Sequence, residues 1–494
     1  MKCSVLIETG CSPDPDITGL TADSREVRPG FLFAALPGVQ VDGARFIRQA
    51  VSHGAGAILV GGDVDLDPEI ERAAMIIRDA TPRRRLAELA AKFYGGQPET
   101  VIGVTGTNGK TSTAWFLAQI WAHIGGGGGG GAGSLGTLGV RARVDGRVVE
   151  LPLQHTTPDP TTLHSALKEL HNAGVDKLAM EVSSHGLAQY RADGVRFAGA
   201  GFTNITQDHL DYHPTFDAYM AAKSRLFAEL IREDGFVAVN SGGAGAAAIM
   251  EVASARGLRL LTSGAGGRDV PLVSSKATPA GLIINTQMSG RAYEIETALI
   301  GAFQAENALL AAALAIGAGV PAGAVMEALG VLTGPPGRMQ FVAELNGGAA
   351  FVDYAHTPDA VRAALLAARP HVQGKLIAII GAGGDRDAVK RPLMGRAARD
   401  AADYVIVTDD NPRTENPMKI RRAILDGAPG AKEIGDRREA IAHGLSLLQA
   451  GDVLLVAGKG HETGQTIGNT TYPFNDYETV LEVVRGVHQQ GDGS

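Results

Sequence analysis

An α/β protein of three domains is predicted by three observations: the length of the chain, strand–helix alternation along most of it, and two sharp breaks in that alternation. The 494 residues exceed what one hydrophobic core holds at roughly 100 to 200 residues per domain, so three domains are expected. Short apolar runs at 177–180, 197–202 and 236–239 alternate with helical stretches, and runs at 376–380, 404–407 and 453–456 repeat the pattern. Such alternation predicts open parallel sheets. Gly95, Gly96, Gln97 and Pro98 end a helical stretch at 83–94, and Pro335 and Pro336 end an alanine-rich helical region at 305–332. Glycine and proline of this kind punctuate a chain between domains, which places the boundaries at 1–97, 98–338 and 339–494.

The run TGTNGKTS at 105–112 follows the apolar strand at 101–104 and opens a helical segment at 111–124. In that context it reads as a phosphate-binding loop. Gly106 and Gly109 let the amides of Gly106, Thr107, Asn108, Gly109 and Ser112 curl around phosphate oxygens. Lys110 supplies a cation to the terminal phosphates, and Thr111 offers a hydroxyl to Mg²⁺. Val104 stands where the eight-residue form of the motif has its first glycine, so this is the compressed spelling. ATP is the expected ligand. The fold class is therefore α/β, with a central P-loop ATPase-like parallel-sheet domain, a C-terminal Rossmann-like open α/β domain, and a smaller N-terminal α/β domain.

Composition excludes several function classes. A net charge of −8 with 20% charged residues argues against a surface for nucleic acid or anionic membrane, so an anionic substrate needs local basic pockets. Cys3 and Cys11 are the two cysteines, too few for a disulfide framework or a zinc site, and a reducing cytoplasm fits them. No apolar run approaches about 18 residues, so membrane insertion is not expected. The seven glycines at 125–131 are read as a flexible loop, because glycine loses most backbone entropy on ordering.

Polar residues gather where strands end, the place where open α/β sheets put their ligands. Glu181 closes an apolar strand, at the position from which nucleotide-binding folds hold Mg²⁺. A donor-rich turn, Ser183 to Gly186, follows it, and then come Gln189 and Arg191, suited to an anionic substrate. The run at 202–213 crowds two aspartates and two histidines together; His209 is either a structural histidine or a metal ligand beside Glu181. Lys223, within a helix at 217–229, reads from its own neighbourhood as an exposed helical lysine.

In the last segment three loops each follow a strand: residues 381–386 with Lys390 and Arg391 beyond, residues 409–415, and residues 458–462. Arg391 and Arg413 suit forked pairing with a carboxylate, whereas Asp410 and Glu462 suit an ammonium group. That combination describes an amino-acid pocket.

These motifs together resemble the Mur ligases. The resemblance spans nearly the whole chain: Asp23-Ser-Arg25 and Asp42-Gly43, the phosphate loop, Thr156-Thr157-Pro158, the stretch 180–186, the stretch 208–213, the stretch 353–359, Asp410-Asn-Pro-Arg413 and Gly458-Lys-Gly-His-Glu462. It implies that the first domain holds the UDP end of a UDP-N-acetylmuramoyl dipeptide through Ser24, Val39, Gln40 and Val41. Thr156, Thr157, Ser183, Gln189 and Arg191 are implied to hold the muramoyl dipeptide, and Asn307, Arg338 and Asp353 the nucleotide. Lys110, Glu181, His209 and Lys223 are the implied catalytic set. The family carries the lysine matching Lys223 as a carbamate, which makes it an anionic ligand for a second Mg²⁺ beside the metal of Thr111, Glu181 and His209 and reverses the bland reading above.

The implied reaction is an ATP-dependent ligation through an acyl phosphate, with Arg391, Asp410, Asn411, Pro412, Arg413, Gly458 and Glu462 around the incoming amino acid. The spelling Asp-Asn-Pro-Arg implies meso-diaminopimelate rather than L-lysine, because an arginine facing lysine would lack the distal carboxylate. Implied closure of the domains would exclude water from the acyl phosphate. Gln304 and His155 depart from the family's usual asparagines. A lysine-adding ligase, a folylpolyglutamate-type ligase and a non-catalytic ATP-binding regulator are the alternatives. The expected state is a cytoplasmic monomer.

Overall fold

The computed structural model describes all residues except 39–41, 126–129, 207–211, 279–280, 289 and 492–494. The chain divides into two compact units, Met1–Thr262 with Ala313–Val320, and Ser263–Ala312 with Pro321–Ser494. Among the described residues no helix is long and apolar enough to cross a membrane.

The first unit opens with a four-stranded parallel sheet, β1 (Gly19–Thr21), β2 (Phe31–Ala34), β3 (Ala57–Gly61) and β4 (Met75–Asp79), in that order. Helix Pro82–Tyr94 covers it. Proline at the first helical turn lacks only an amide that would be unpaired there, Leu86, Ala87, Leu89 and Ala90 form the buried stripe, and Gly95 at φ +56° ends it. Cys3 and Cys11 are free thiols, and burial pushes the Cys3 thiol up to about 12.

The larger sheet of this unit runs β11 (Ile231–Asn240), β10 (Phe197–Phe202), β5 (Thr100–Thr105), β9 (Val175–Glu181), β6 (Gly131–Gly136), β7 (Gly139–Val144) and β8 (Arg147–Leu151). From β11 to β6 the strands are parallel; β7 and β8 turn back antiparallel. The expected strands at 101–104, 177–180, 197–202 and 236–239 all lie within it. Their near-continuous apolar character follows from burial on both faces.

Of the glycine run expected to form a loop, residues 126–129 lie outside the described residues; at its ends Gly125 closes helix Lys110–Gly125 and Gly131 opens β6, every residue of which is buried. Glycine is required there by close approach: a Cβ on Gly133 would lie 2.5 Å from the Cβ of Ala142, and one on Gly136 would lie 2.1 Å from Glu181 Oε1. Strand propensity loses to the space that the neighbours demand.

Strand β12 (Arg259–Gly264) leads into the second unit and pairs at its end with β13 (Val270–Thr278). Strands β13, β14 (Gly281–Met288) and β15 (Arg291–Thr297) form an antiparallel meander. The alanine-rich region at 305–332 is two helices, Phe303–Gly317 and Ala322–Leu329.

A six-stranded sheet follows in the order β16 (Gln340–Leu345), β17 (Gly348–Asp353), β21 (Val453–Ala457), β18 (Leu376–Ile380), β19 (Tyr404–Val407) and β20 (Lys432–Glu433). All but β16 are parallel. Along β18 the period of two is visible: Leu376, Ala378 and Ile380 join one core, Ile377 and Ile379 the other. Helices Pro358–Ala368 and Lys390–Ala401 cover the first face; Arg437–Ser446 and Asp476–Gly491 cover the second. The short hairpin β22 (Gly464–Ile467) and β23 (Thr470–Pro473) stands apart from this sheet.

Candidate active site

The loop after β5 is shaped as the sequence requires. Gly106 sits at φ +149° and Gly109 at φ +84°, and a Cβ on Gly106 would lie 1.8 Å from Thr203 Oγ1. The loop is tied to the end of β10: Thr107 N donates to Asn204 O at 2.8 Å, and Thr203 Oγ1 donates to Asn108 O at 2.6 Å. Lys110 Nζ donates to the carbonyls of Gly106 and Thr107, both at 2.9 Å. Its ammonium is thereby folded over the loop.

Thr111 and Glu181 meet directly. The threonine hydroxyl donates to Glu181 Oε2 at 2.8 Å, and Thr137 N donates to Oε1 at 2.9 Å. Glu181 is 3% exposed. Burial pushes its carboxyl up, opposed by the charge of Lys110 and by these hydrogen bonds. Thr137 was not among the expected residues; it stands at the turn between β6 and β7, and only the pairing of β6 with β9 brings it here.

Lys223 corrects the bland reading of an exposed lysine. It is 1% exposed and its ammonium donates to Gly106 O at 2.7 Å, facing the ring of Tyr219 at 4.6 Å. Tyr219 is itself buried, with its hydroxyl 2.9 Å from Thr107 Oγ1. Lys223 thus belongs to the phosphate loop, one face of helix Phe216–Arg225 having turned inward. His209, Val39, Gln40 and Val41 lie outside the described residues.

The expected dipeptide residues form one connected turn. Thr157 Oγ1 donates to Glu181 O at 3.2 Å and accepts from Ser183 N at 2.9 Å. Arg191 reaches Thr157 O at 2.8 Å and Gln189 Oε1 at 2.7 Å, while Thr156 Oγ1 lies 3.0 Å from Thr137 Oγ1. Ser183 caps the short helix after it, accepting from Gly186 N. Ser24 lies in the first domain, just after β1, and its hydroxyl donates to Gln49 Oε1 at 3.0 Å.

In the second unit Asn307 is buried and donates to Gln304 Oε1 at 2.9 Å. Asp353, at the end of β17, accepts from Met339 N and Ala355 N, both at 2.8 Å. Arg338 lies over the ring of Tyr354 at 4.8 Å.

The three loops of the last segment converge at the ends of β18, β19 and β21. A Cβ on Gly384 would lie 1.9 Å from Pro412 O, so the glycines of the first loop exist to let it rest on the second. Arg413, at φ +49°, donates its Nη1 to Gly384 O at 2.8 Å. Asn411 Nδ2 donates to Glu462 Oε2 at 2.9 Å. Gly458, at φ +125°, lets the third loop pass Asp410, whose Oδ2 would lie 2.5 Å from a Cβ there.

Arg391 is the exception. It is 4% exposed, and both terminal nitrogens are forked onto Glu415 at 2.9 and 2.8 Å. The fork expected for a ligand carboxylate is spent on a carboxylate of the chain, so direct contact with an amino acid does not fit Arg391. On the same loop Arg386 is exposed, a guanidinium passed over in favour of its neighbour.

The arrangement can hold a nucleoside triphosphate at one set of strand ends and an amino acid at another. Family models match in three consecutive stretches: the Mur ligase family catalytic domain at 16–94, the Mur ligase middle domain at 104–315 and the Mur ligase glutamate ligase domain at 337–460. The chain belongs to the Mur ligase family. It is 46% identical, over 98% of its length and 99% of the relative's, to the UDP-N-acetylmuramoyl-L-alanyl-D-glutamate–2,6-diaminopimelate ligase of Caulobacter vibrioides. The ligase of that name from Bradyrhizobium diazoefficiens is also 46% identical, over 97% and 98%. A solved structure of a ligase of that name superposes with a TM-score of 0.74 at 32% identity, covering 99% of both chains. Mur ligases have the three-domain α/β architecture expected above.

Proposed function

We propose that this chain joins meso-2,6-diaminopimelate to the γ-carboxylate of D-glutamate in UDP-N-acetylmuramoyl-L-alanyl-D-glutamate, with ATP converted to ADP and phosphate, in peptidoglycan precursor synthesis. The observation that carries the reading is the loop Asp410–Arg413 held against Glu462, which presents a guanidinium and carboxylates in one place, as a diamino dicarboxylic acid requires. The domain division is 1–97, 98–338 and 339–494, with the UDP moiety, ATP and the amino acid taken in that order. The protein acts as a cytoplasmic monomer.

Joining a carboxylate to an amine in water is uphill, so the acid is activated first. Lys110 leaves the carbonyls of Gly106 and Thr107 for the β- and γ-phosphates, and the loop amides hold them. Thr156, Thr157, Ser183, Gln189 and Arg191 hold the dipeptide so that its γ-carboxylate oxygen attacks the γ-phosphorus in line. ADP leaves, and an acyl phosphate forms. The amine of diaminopimelate, oriented by Asp410, Asn411 and Glu462, then attacks the acyl carbon; its proton is lost and phosphate departs. Arg413 and the exposed Arg386 take the carboxylates of the amino acid, and Arg391 holds the loop through Glu415. Asn307, Arg338 and Asp353 contact the nucleotide.

The donors around Glu181 suit magnesium, since the Thr111 hydroxyl and the Glu181 carboxylate are hard oxygen ligands already side by side. Thr111, Glu181 and His209 would hold one Mg²⁺, and Lys223 as its carbamate would serve a second. Bound Mg²⁺ offsets the repulsion between the attacking carboxylate and the phosphates.

The test is phosphate release from Mg²⁺-ATP and UDP-N-acetylmuramoyl-L-alanyl-D-glutamate with meso-diaminopimelate, L-lysine or no amino acid. Release with diaminopimelate alone, with the tripeptide product, is expected. Preference for lysine would keep the ligase and overturn the pocket; no release with either would overturn both.

A further inference from the structure

Lys459 is among the most deeply buried cations of the second unit, at 0% exposure. Its ammonium donates to Asn411 Oδ1 at 3.0 Å and to Glu462 Oε2 at 3.2 Å, and lies 3.9 Å from Asp410 Oδ1. A buried ammonium is costly unless paired and hydrogen-bonded, and here the partners come from the two loops assigned to the amino acid. The network continues outward. Asn411 Oδ1 also accepts from Thr466 N at 2.9 Å, and Thr466 O accepts from Arg413 N at 3.0 Å. Gln465 Nε2 donates to Asp410 O at 2.8 Å.

We infer that Lys459 is the positioning residue of the amino-acid pocket: it neutralises one of the charges of Asp410 and Glu462, fixes Asn411 and Glu462, and through Asn411 and Thr466 sets the backbone of Arg413. Two consequences follow from the charges. Asp410 and Glu462 carry two negative charges and Lys459 one positive, so the trio retains one negative charge, the complement of a single ammonium group. Because Asn411 Oδ1 is held by Lys459 and Thr466, its amide nitrogen is the end that faces Glu462, so Lys459 acts on the orientation of both side chains. The inference rests on assigning these loops to diaminopimelate.

Lys459→Met is the direct test, measured as KM and kcat for each of the three substrates. The expected result is a KM for meso-diaminopimelate raised about tenfold or more, with the KM values for ATP and the UDP-dipeptide within about twofold. The ratio of kcat/KM for diaminopimelate over lysine should fall as Arg413 loses its fixed backbone. Lys459→Arg keeps the buried charge and displaces the donor, and it should give the same split should the methionine variant not fold. Equal losses for all three substrates in the variant that folds, or no change, would overturn the inference. Arg413→Ala, assayed alongside, separates the levels: a selective loss there without one at Lys459 removes only the role of Lys459, whereas no selective loss at either position removes the pocket itself.

Discussion

Thr111 Oγ1 lies 2.8 Å from Glu181 Oε2, joining the first turn of the helix after the phosphate loop to the end of β9. The two residues are 70 positions apart in the chain, and the parallel pairing of β5 with β9 brings them together. Glu181→Gln keeps the shape and removes the charge. Turnover should drop roughly a hundredfold or more while the fold is retained, since in the proposed reaction this carboxylate would hold the Mg²⁺ that offsets the phosphate charge. Stopped-flow or coupled ADP assays under saturating ATP check this. Lys110→Ala should remove turnover almost entirely; surviving activity would contradict the phosphate-loop assignment.

Gly106 admits no side chain. Its φ of +149° disfavours an L-residue, and a Cβ would lie 1.8 Å from Thr203 Oγ1 and 2.9 Å from Asn204 O. Gly106→Ala should push the loop off the end of β10, costing about 1–3 kcal/mol in stability and most of the ATP affinity. Calorimetric titration with a non-hydrolysable ATP analogue reads the affinity; unchanged binding would mean that Thr203 gives way at no cost.

In the proposed reaction Arg413 selects the amino acid. Arg413→Ala should reduce kcat/KM for meso-diaminopimelate by roughly 10²-fold or more, with ATP binding little changed, because a charged pair is lost at one substrate only. Comparable losses for both substrates would assign Arg413 a structural role through its bond to Gly384 O.

The sequence made the strands and the phosphate loop legible because continuous apolar runs and the Gly-Lys-Thr spelling are local signals. β10, β18 and β19 fall on the runs that predict them. What stayed hidden depends on contacts distant in the chain. Lys223 looks like any helical lysine until helix Phe216–Arg225 is placed against Gly106, and β6 looks like a linker until Glu181 and Ala142 occupy the space that side chains would need. Arg391 and Arg386 are five positions apart, and nothing in their spacing tells which one Glu415 takes; in the fold it takes Arg391.

The last prediction concerns pH and lies away from the chemistry. His164, on helix Pro160–Asn172, is 4% exposed, and its Nε2 lies 3.2 Å from Asp193 O. A carbonyl only accepts, so Nε2 carries a proton and donates it. Burial holds its pKa down at about 4, against a smaller opposing effect of that bond. The unfolded chain takes up this proton near pH 6.5 and the native protein only near pH 4, so the unfolded state binds more protons between those values. Stability from this group is therefore complete above about pH 6.5 and is lost as the pH falls towards 4, amounting to about 2 kcal/mol at pH 5. The two tryptophans of the chain, Trp115 and Trp121, both lie on helix Lys110–Gly125, so their fluorescence follows the unfolding of the first unit. In urea the midpoint should fall from pH 7 to pH 5, and His164→Gln, which has no proton to take up, should show a smaller fall. An equal fall in the variant would place the pH dependence in other groups and leave His164 with packing alone.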